Sequence, residues 1–146
     1  MPELQVIRTA EDPLCSLIMD DPVRPEIPLA FRIGDFAEIL VATDEQDEPI
    51  AVVCVRYCDQ VPTTVEEMLE DPGSNAVAVF YTIWSYKPGA GGKLIFAARN
   101  HIERTRPSVS RFVTLSPRTE EARRFHLKNG ARVLQENPST VNYEYA

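Results

Sequence analysis

The segment Tyr86-Lys87-Pro88-Gly89-Ala90-Gly91-Gly92-Lys93 gathers three of the chain's six glycines into four residues. It follows the β-branched and aromatic run at 76–84 and precedes a run with helical spacing. A strand, a glycine-rich turn and a helix start in that order leave several backbone N–H groups unpaired at the positive end of a helix dipole. Phosphate is the anion that suits such a cradle best. Lys87 and Lys93 add charge at its rims, while Pro88 and the glycines let the backbone approach closely. The segment is not a Walker loop, because Gly92-Lys93 is followed by Leu94 and the four-residue spacing is absent. It is not a Rossmann fingerprint either, since repeated βαβ units are missing. The alternative is a plain turn, for which one or two glycines suffice.

Few other side chains bring reactive chemistry. The three cysteines, Cys15, Cys54 and Cys58, leave an odd one out, and the Cys54/Cys58 spacing has no second pair or nearby histidines to complete a zinc site. On a strand that spacing puts both thiols on one face, as small buried hydrophobes. No metal site is expected. Of the two histidines, His101 falls on the apolar face of its helix and reads as a core residue. Trp84, beside the glycine loop, reads as lining a cofactor cleft or as strand core.

The elements that must position these groups can be read in order. Residues 4–8 alternate as a short strand, and Glu11-Asp-Pro opens a helical segment that the Pro-rich stretch 21–28 stops. Residues 39–42 and 50–57 form a hairpin around a polar turn, and 63–70 is a short helix with a Thr cap and glutamates in its first turn. The run 76–84 should be a central strand. A helix is expected over 93–104, a strand over 111–115, and a helix over 117–129 with Ser116 as its N-cap and Gly130 as its stop. Two strands at 131–134 and 140–145 close the chain. This order predicts one α+β domain over 1–146 with a partly parallel sheet.

At 146 residues and 44% hydrophobic, the chain suffices for one core. Its apolar runs are too short to span a membrane, and the N-terminus lacks the pattern of a secretion signal, so a cytoplasmic location is expected. The net charge of −7 hides an asymmetry: residues 1–73 carry net −13 and residues 74–146 net +6. The second half thus suits an anionic ligand, although segregated solvated faces would give the same balance. Overall acidity and the absence of a recognised motif argue against nucleic acid as a partner.

With these residues in view, the sequence resembles the GNAT acyltransferase superfamily. The family's acyl-CoA loop runs Arg or Gln, two residues, Gly, one residue, then Gly or Ala, and opens a helix with an apolar pair. Here Gly89, Gly91, Leu94 and Ile95 match, while Tyr86 stands at the Arg/Gln position. The stretch Thr119-Glu-Glu-Ala122-Arg-Arg-Phe125-His126-Leu-Lys128-Asn-Gly130 is similar to the family's later helix motif. Ala122, Phe125, Lys128 and Gly130 match, Thr119 replaces an Asn, and His126 replaces a Tyr.

The resemblance implies a GNAT-like, mixed but mostly antiparallel sheet of six to seven strands, helices on both faces, and a splayed parallel central pair with acyl-CoA in the opening. It assigns cofactor contacts to Ile83, Trp84, Ser85, Tyr86, Lys87, Gly89, Ala90, Gly91, Gly92, Lys93, Thr119, Ala122 and Phe125. It further implies an N-acyltransferase using acetyl-CoA, or another acyl-CoA, on an amine of a small molecule or peptide. The other reading is a GNAT-fold protein that binds acyl-CoA, or nothing, without catalysis. Family members are often dimers, so a homodimer is compatible with the resemblance. In the family a tyrosine protonates the departing thiolate; His126 holds that place here, and an imidazolium would be a suitable acid near neutral pH. Ser116, Tyr81, Tyr143 and Tyr145 are alternative pocket residues, with Glu38 and Asp59 as guesses for a base.

Overall fold

The protein is described by a computed structural model covering residues 3–146. Eight strands form one sheet: β1 (Glu3–Ile7), β2 (Ala37–Thr43), β3 (Pro49–Cys58), β4 (Val77–Ser85), β5 (Arg111–Thr114), β6 (Ser116–Pro117), β7 (Ala131–Glu136) and β8 (Thr140–Tyr145). Three α-helices join them: α1 (Val65–Glu70), α2 (Ala90–Thr105) and α3 (Glu120–Lys128). The strands from β1 to β5 are neighbours in sequence order; β8 then pairs with β5 and β6 on one side and with β7 on the other. Every pairing is antiparallel except β4 with β5. The expected sheet is therefore present, with the two-residue β6 as an additional strand. No helix is long and apolar enough to cross a membrane among the described residues.

Alternation along β2, β3 and β4 sends apolar side chains to both faces, which is why these strands read as continuous hydrophobic runs. Leu40, Val53, Val55 and Phe80 pack under Leu94, Ala98 and Ile102 of α2. Ile39, Val52, Cys54, Cys58 and Val79 form the opposite layer with Met68 of α1. Both strand cysteines thus share a face, as their spacing requires, and all three thiols are free.

The helix boundaries differ from expectation in two places. The first helical segment, Pro13–Asp20, is a 3-10 helix whose first turn Asp12 caps. α3 begins at Glu120 with Thr119 as its N-cap, because Ser116 and Pro117 pair with Val141 and Thr140 of β8 instead. A serine-proline pair resembles a helix start, but here strand pairing takes it.

After the 3-10 helix, residues 21–33 cross the sheet end as a strap fastened by a buried ion pair. Asp21 accepts from Arg32 Nη1 at 2.8 Å through Oδ2, and from Val23 N, Arg24 N and the Thr82 hydroxyl through Oδ1. Arg32, 1% exposed, also donates to the Ile27 and Arg24 carbonyls. Removing one partner of such a pair leaves a buried charge uncompensated. Asp21→Ala is expected to lower unfolding stability by about 3–5 kcal/mol, read from the denaturant midpoint; a loss within about 0.5 kcal/mol, the usual range for surface sites, would show that the strap is not held by this pair.

Candidate functional site

The parallel pairing of β4 and β5 runs only from Val77–Arg111 to Phe80–Thr114, followed by one bond from Leu115 N–H to the Phe80 carbonyl at 3.1 Å. Beyond it β5 turns away toward β8. Side chains replace the lost ladder bonds: Asn142 Nδ2 donates to the Thr114 carbonyl at 2.7 Å, and Thr114 Oγ1 accepts from Tyr143 N–H and from the Ser116 hydroxyl. The β5-facing edge of residues 81–85 has no neighbouring strand. A bulge marks where the edge begins, since Cys54 faces Thr82, Val55 faces Phe80, and Tyr81 is the extra residue. The open edge offers backbone donors and acceptors to an amide-containing chain.

Two cavities meet at this edge, sharing Ser85 and Phe125. The larger, about 1570 Å³, runs along the glycine loop and α2 and is lined by Gly89, Gly91, Gly92, Lys93, Lys128 and Asn129 among others. Gly89 adopts φ 78° as the N-cap of α2, a conformation that favours glycine. Gly91 and Gly92 are required for a different reason than openness. A Cβ on Gly91 would lie 2.9 Å from both Phe125 Cε1 and Ser85 Oγ, and one on Gly92 would overlap the Asn129 amide. The glycines therefore let α3 close against the start of α2, whose first-turn N–H groups have no partner one helical turn earlier.

The loop's other residues are partly committed elsewhere. Lys87 reaches Asp44 in the β2–β3 turn at 3.1 Å, whereas Lys93 is exposed on the groove. Tyr86 does not take up the role of an arginine: its hydroxyl accepts from Trp84 Nε1 at 3.0 Å and donates to Asp20 at 2.8 Å, tying the loop to the 3-10 helix. Trp84 itself is buried and lines the second cavity.

That second cavity, about 590 Å³, is a chamber between the strap (Pro22, Val23), residues 80–85, Ser116, Pro117 and α3. Thr119 caps α3 by accepting from Ala122 N–H, and Thr119, Ala122, Phe125 and His126 all line the chamber. No lysine or arginine lines it, and Glu121 is its one carboxylate. His126 is 5% exposed; its Nδ1 lies 2.8 Å from the Tyr145 hydroxyl, Tyr143 stacks on it with ring centres 5.1 Å apart, and Phe125 meets it edge-on. Burial lowers its pKa to about 4. The ring is thus neutral at pH 7, which alters the expected imidazolium acid into an imidazole able to donate a hydrogen bond.

The remaining candidates lie apart. Tyr81 packs its ring in the layer of Cys54 and Val79, and burial raises its pKa strongly. Glu38 sits in a buried group with Tyr57, whose hydroxyl donates to it at 2.5 Å, and with Arg8, Arg106 and His101; it lines neither cavity. His101 is buried on α2, as its position predicts. Asp59 likewise lines neither cavity. The sequence reading missed the strap, Glu121 and Asn129. Asn129 adjoined the later helix motif, but the strap carried only the signal of a Pro-rich helix stop.

An unfolded His126 takes up a proton near pH 6.5, the folded one only near about 4. Between these values the unfolded state binds more protons, so stability present above pH 6.5 is lost as pH falls toward 4, by an amount on the order of 3 kcal/mol. His126→Gln should flatten denaturation stability over that window; an unchanged pH slope would contradict the burial argument. Separately, Gly91→Val should cost about 1–3 kcal/mol through overpacking against Phe125, read from the denaturation midpoint, and a neutral result would mean that α2 and α3 are not in close contact there.

No family model matches the sequence, and no curated protein matches it. Solved structures do. A malonyl-CoA decarboxylase from Agrobacterium vitis matches with TM-score 0.78 and 19% identity over 99% of this chain and 60% of that one. This chain thus spans about three-fifths of that structure. The GNAT domain of S. lividans PAT matches at 0.66 and 16% over 99% and 89%. The PaiA N-acetyltransferase from Thermoplasma acidophilum, in complex with coenzyme A, matches at 0.64 and 12% over 98% of both chains. The parallel pair that parts over a glycine-opened helix belongs to a shared architecture, and this chain has the GNAT fold.

Proposed function

We propose that the chain binds an acyl-CoA between the parted strands and catalyses loss of CO2 from a malonyl-type CoA thioester. The observation that carries this reading is the make-up of the chamber: a neutral imidazole, apolar walls and no cationic side chain. In this reading the CoA phosphates lie on the first turn of α2 beside Lys93, Lys128 and Asn129, where N–H groups and positive charge meet. The pantetheine follows the open edge of residues 81–85.

In the reaction the bond between the carboxylate carbon and the α-carbon breaks. Its electron pair forms the thioester enolate, CO2 leaves uncharged, and a proton added to the α-carbon gives the acetyl thioester. Negative charge therefore moves from the carboxylate to the thioester oxygen. Apolar walls without a counter-ion hold the carboxylate poorly, whereas a fixed donor at the oxygen stabilises the charge as it develops. A neutral imidazole with a lowered pKa suits that role, since it polarises a carbonyl without needing a proton from solution. The decarboxylase likeness, at a higher TM-score than the acetyltransferase ones above, supports the same choice.

A second reading is favoured by Glu121, which lines the chamber and could take the proton of an attacking amine. It gives acyl transfer from acetyl-CoA, or another acyl-CoA, to an amine of a small molecule or peptide. It stands second because a neutral imidazole is a far weaker acid toward the departing thiolate than an imidazolium.

Incubation with malonyl-CoA alone is expected to yield acetyl-CoA and CO2, with His126→Ala reducing kcat by about 100-fold, the size of one lost oxyanion donor. Thiol release from acetyl-CoA that requires an added amine, with malonyl-CoA left intact, would replace this reading by the second. Neither turnover, with CoA still bound, would leave a binding protein without catalysis.

A further inference from the structure

We infer that Tyr145 is a positioning residue for His126: its phenol donates to Nδ1 and holds the imidazole as the tautomer whose proton is on Nε2, where the ring meets the chamber. The inference rests on the proposed role of His126 as a hydrogen-bond donor, but the tautomer itself can be observed without any turnover.

The direction of the 2.8 Å contact follows from what each partner could do otherwise. Tyr145 is 3% exposed, and His126 Nδ1 is its hydroxyl's one hydrogen-bond partner among the described residues. If Nδ1 carried the proton and donated, the phenol proton would be buried without an acceptor, which is a costly arrangement. Donation by the phenol satisfies both atoms and leaves the proton on Nε2, which has no protein partner among the described residues on a ring that lines the chamber. The phenol remains a donor throughout the working pH range, because burial raises its pKa. Arg99, with its guanidinium carbon 5.6 Å from the Tyr145 ring centre, keeps the ring in place and makes the phenol a better donor.

Packing fixes the acceptor side equally well. Tyr143 stacks on the imidazole at an interplanar angle of 28°, and Phe125 closes its edge at 82°. Rotation that would exchange the two nitrogens has to displace both rings. The two tyrosines come from alternate positions of β8, Tyr143 and Tyr145, so one strand face supplies the stack and the hydrogen bond together. Sequence spacing alone marked them as pocket residues; the contact gives each its task.

The test is nitrogen-15 NMR of the two histidine rings, with His126→Gln assigning the His126 signals. The wild-type protein at pH 7 is expected to show His126 as the Nε2–H tautomer, and Tyr145→Phe, which keeps the ring and its packing, to show a mixture of tautomers. With malonyl-CoA, Tyr145→Phe should lower kcat by about 10–100-fold, the scale of losing an orienting partner, at nearly unchanged KM. A wild-type Nδ1–H tautomer, or an unaltered tautomer or kcat in Tyr145→Phe, would overturn the assignment. If wild-type protein turns over no thioester, the functional reading fails while the tautomer result still decides the role of Tyr145.

Discussion

The site depends on a single parallel ladder that stops. β4 and β5 share four register pairs and then separate, and everything assigned to binding lies in or beside that gap. Separation would be costly if backbone groups were left unpaired. The cost is avoided by the fully buried Asn142, which donates to the carbonyls of Thr114 and Pro62 while its own side-chain oxygen accepts from Gln135 and Asn137. Thr114 supplies the matching acceptor for Tyr143 N–H. One amide and one hydroxyl thus do on the β5 side what a strand ladder would otherwise do, and the β4 side is left open for a ligand.

The gap would be only a cleft without its outer wall. The strap of residues 21–33 forms that wall, and its anchor, Asp21, reaches the Thr82 hydroxyl on the open edge as well as Arg32. Tyr86 ties the glycine loop to the same region through Asp20. The acidic first half therefore does more than keep the protein in solution: two adjacent aspartates hold the wall to the strand and the loop. This also accounts for a phenol at a position where the family motif has Arg or Gln. A cation there would pair with Asp20, whereas the phenol bridges Trp84 and Asp20 at once.

Much of this was legible in the sequence because it depended on local pattern. The β-rich run ending at Trp84, the glycines after it, and the Ala122, Phe125 and Gly130 spacing placed strand, loop and helix in order. What stayed hidden depended on contacts distant in sequence. The segment Ser116-Pro117 carries a strong local signal for a helix start, and only its pairing with β8 makes it a strand. Residues 21–28 looked like punctuation because nothing local shows Asp21 meeting Arg32 inside the protein. The protonation state of His126 was equally illegible, since its helix is strongly polar and the burial comes from Phe125, Tyr143 and Tyr145. The glycines illustrate both cases: Gly89 follows from backbone conformation, but Gly91 and Gly92 are explained by Phe125 and Asn129 on another helix.

The central claim is that the parted strands and the start of α2 form one binding surface for coenzyme A. Hydrogen–deuterium exchange with and without added coenzyme A tests it most directly, because the surface is made of backbone amides. The account predicts slowed exchange at residues 82–85 and 90–93, with little change at the β1–β2 edge. Unchanged exchange in both segments at saturating coenzyme A, or protection confined to another part of the sheet, would contradict it.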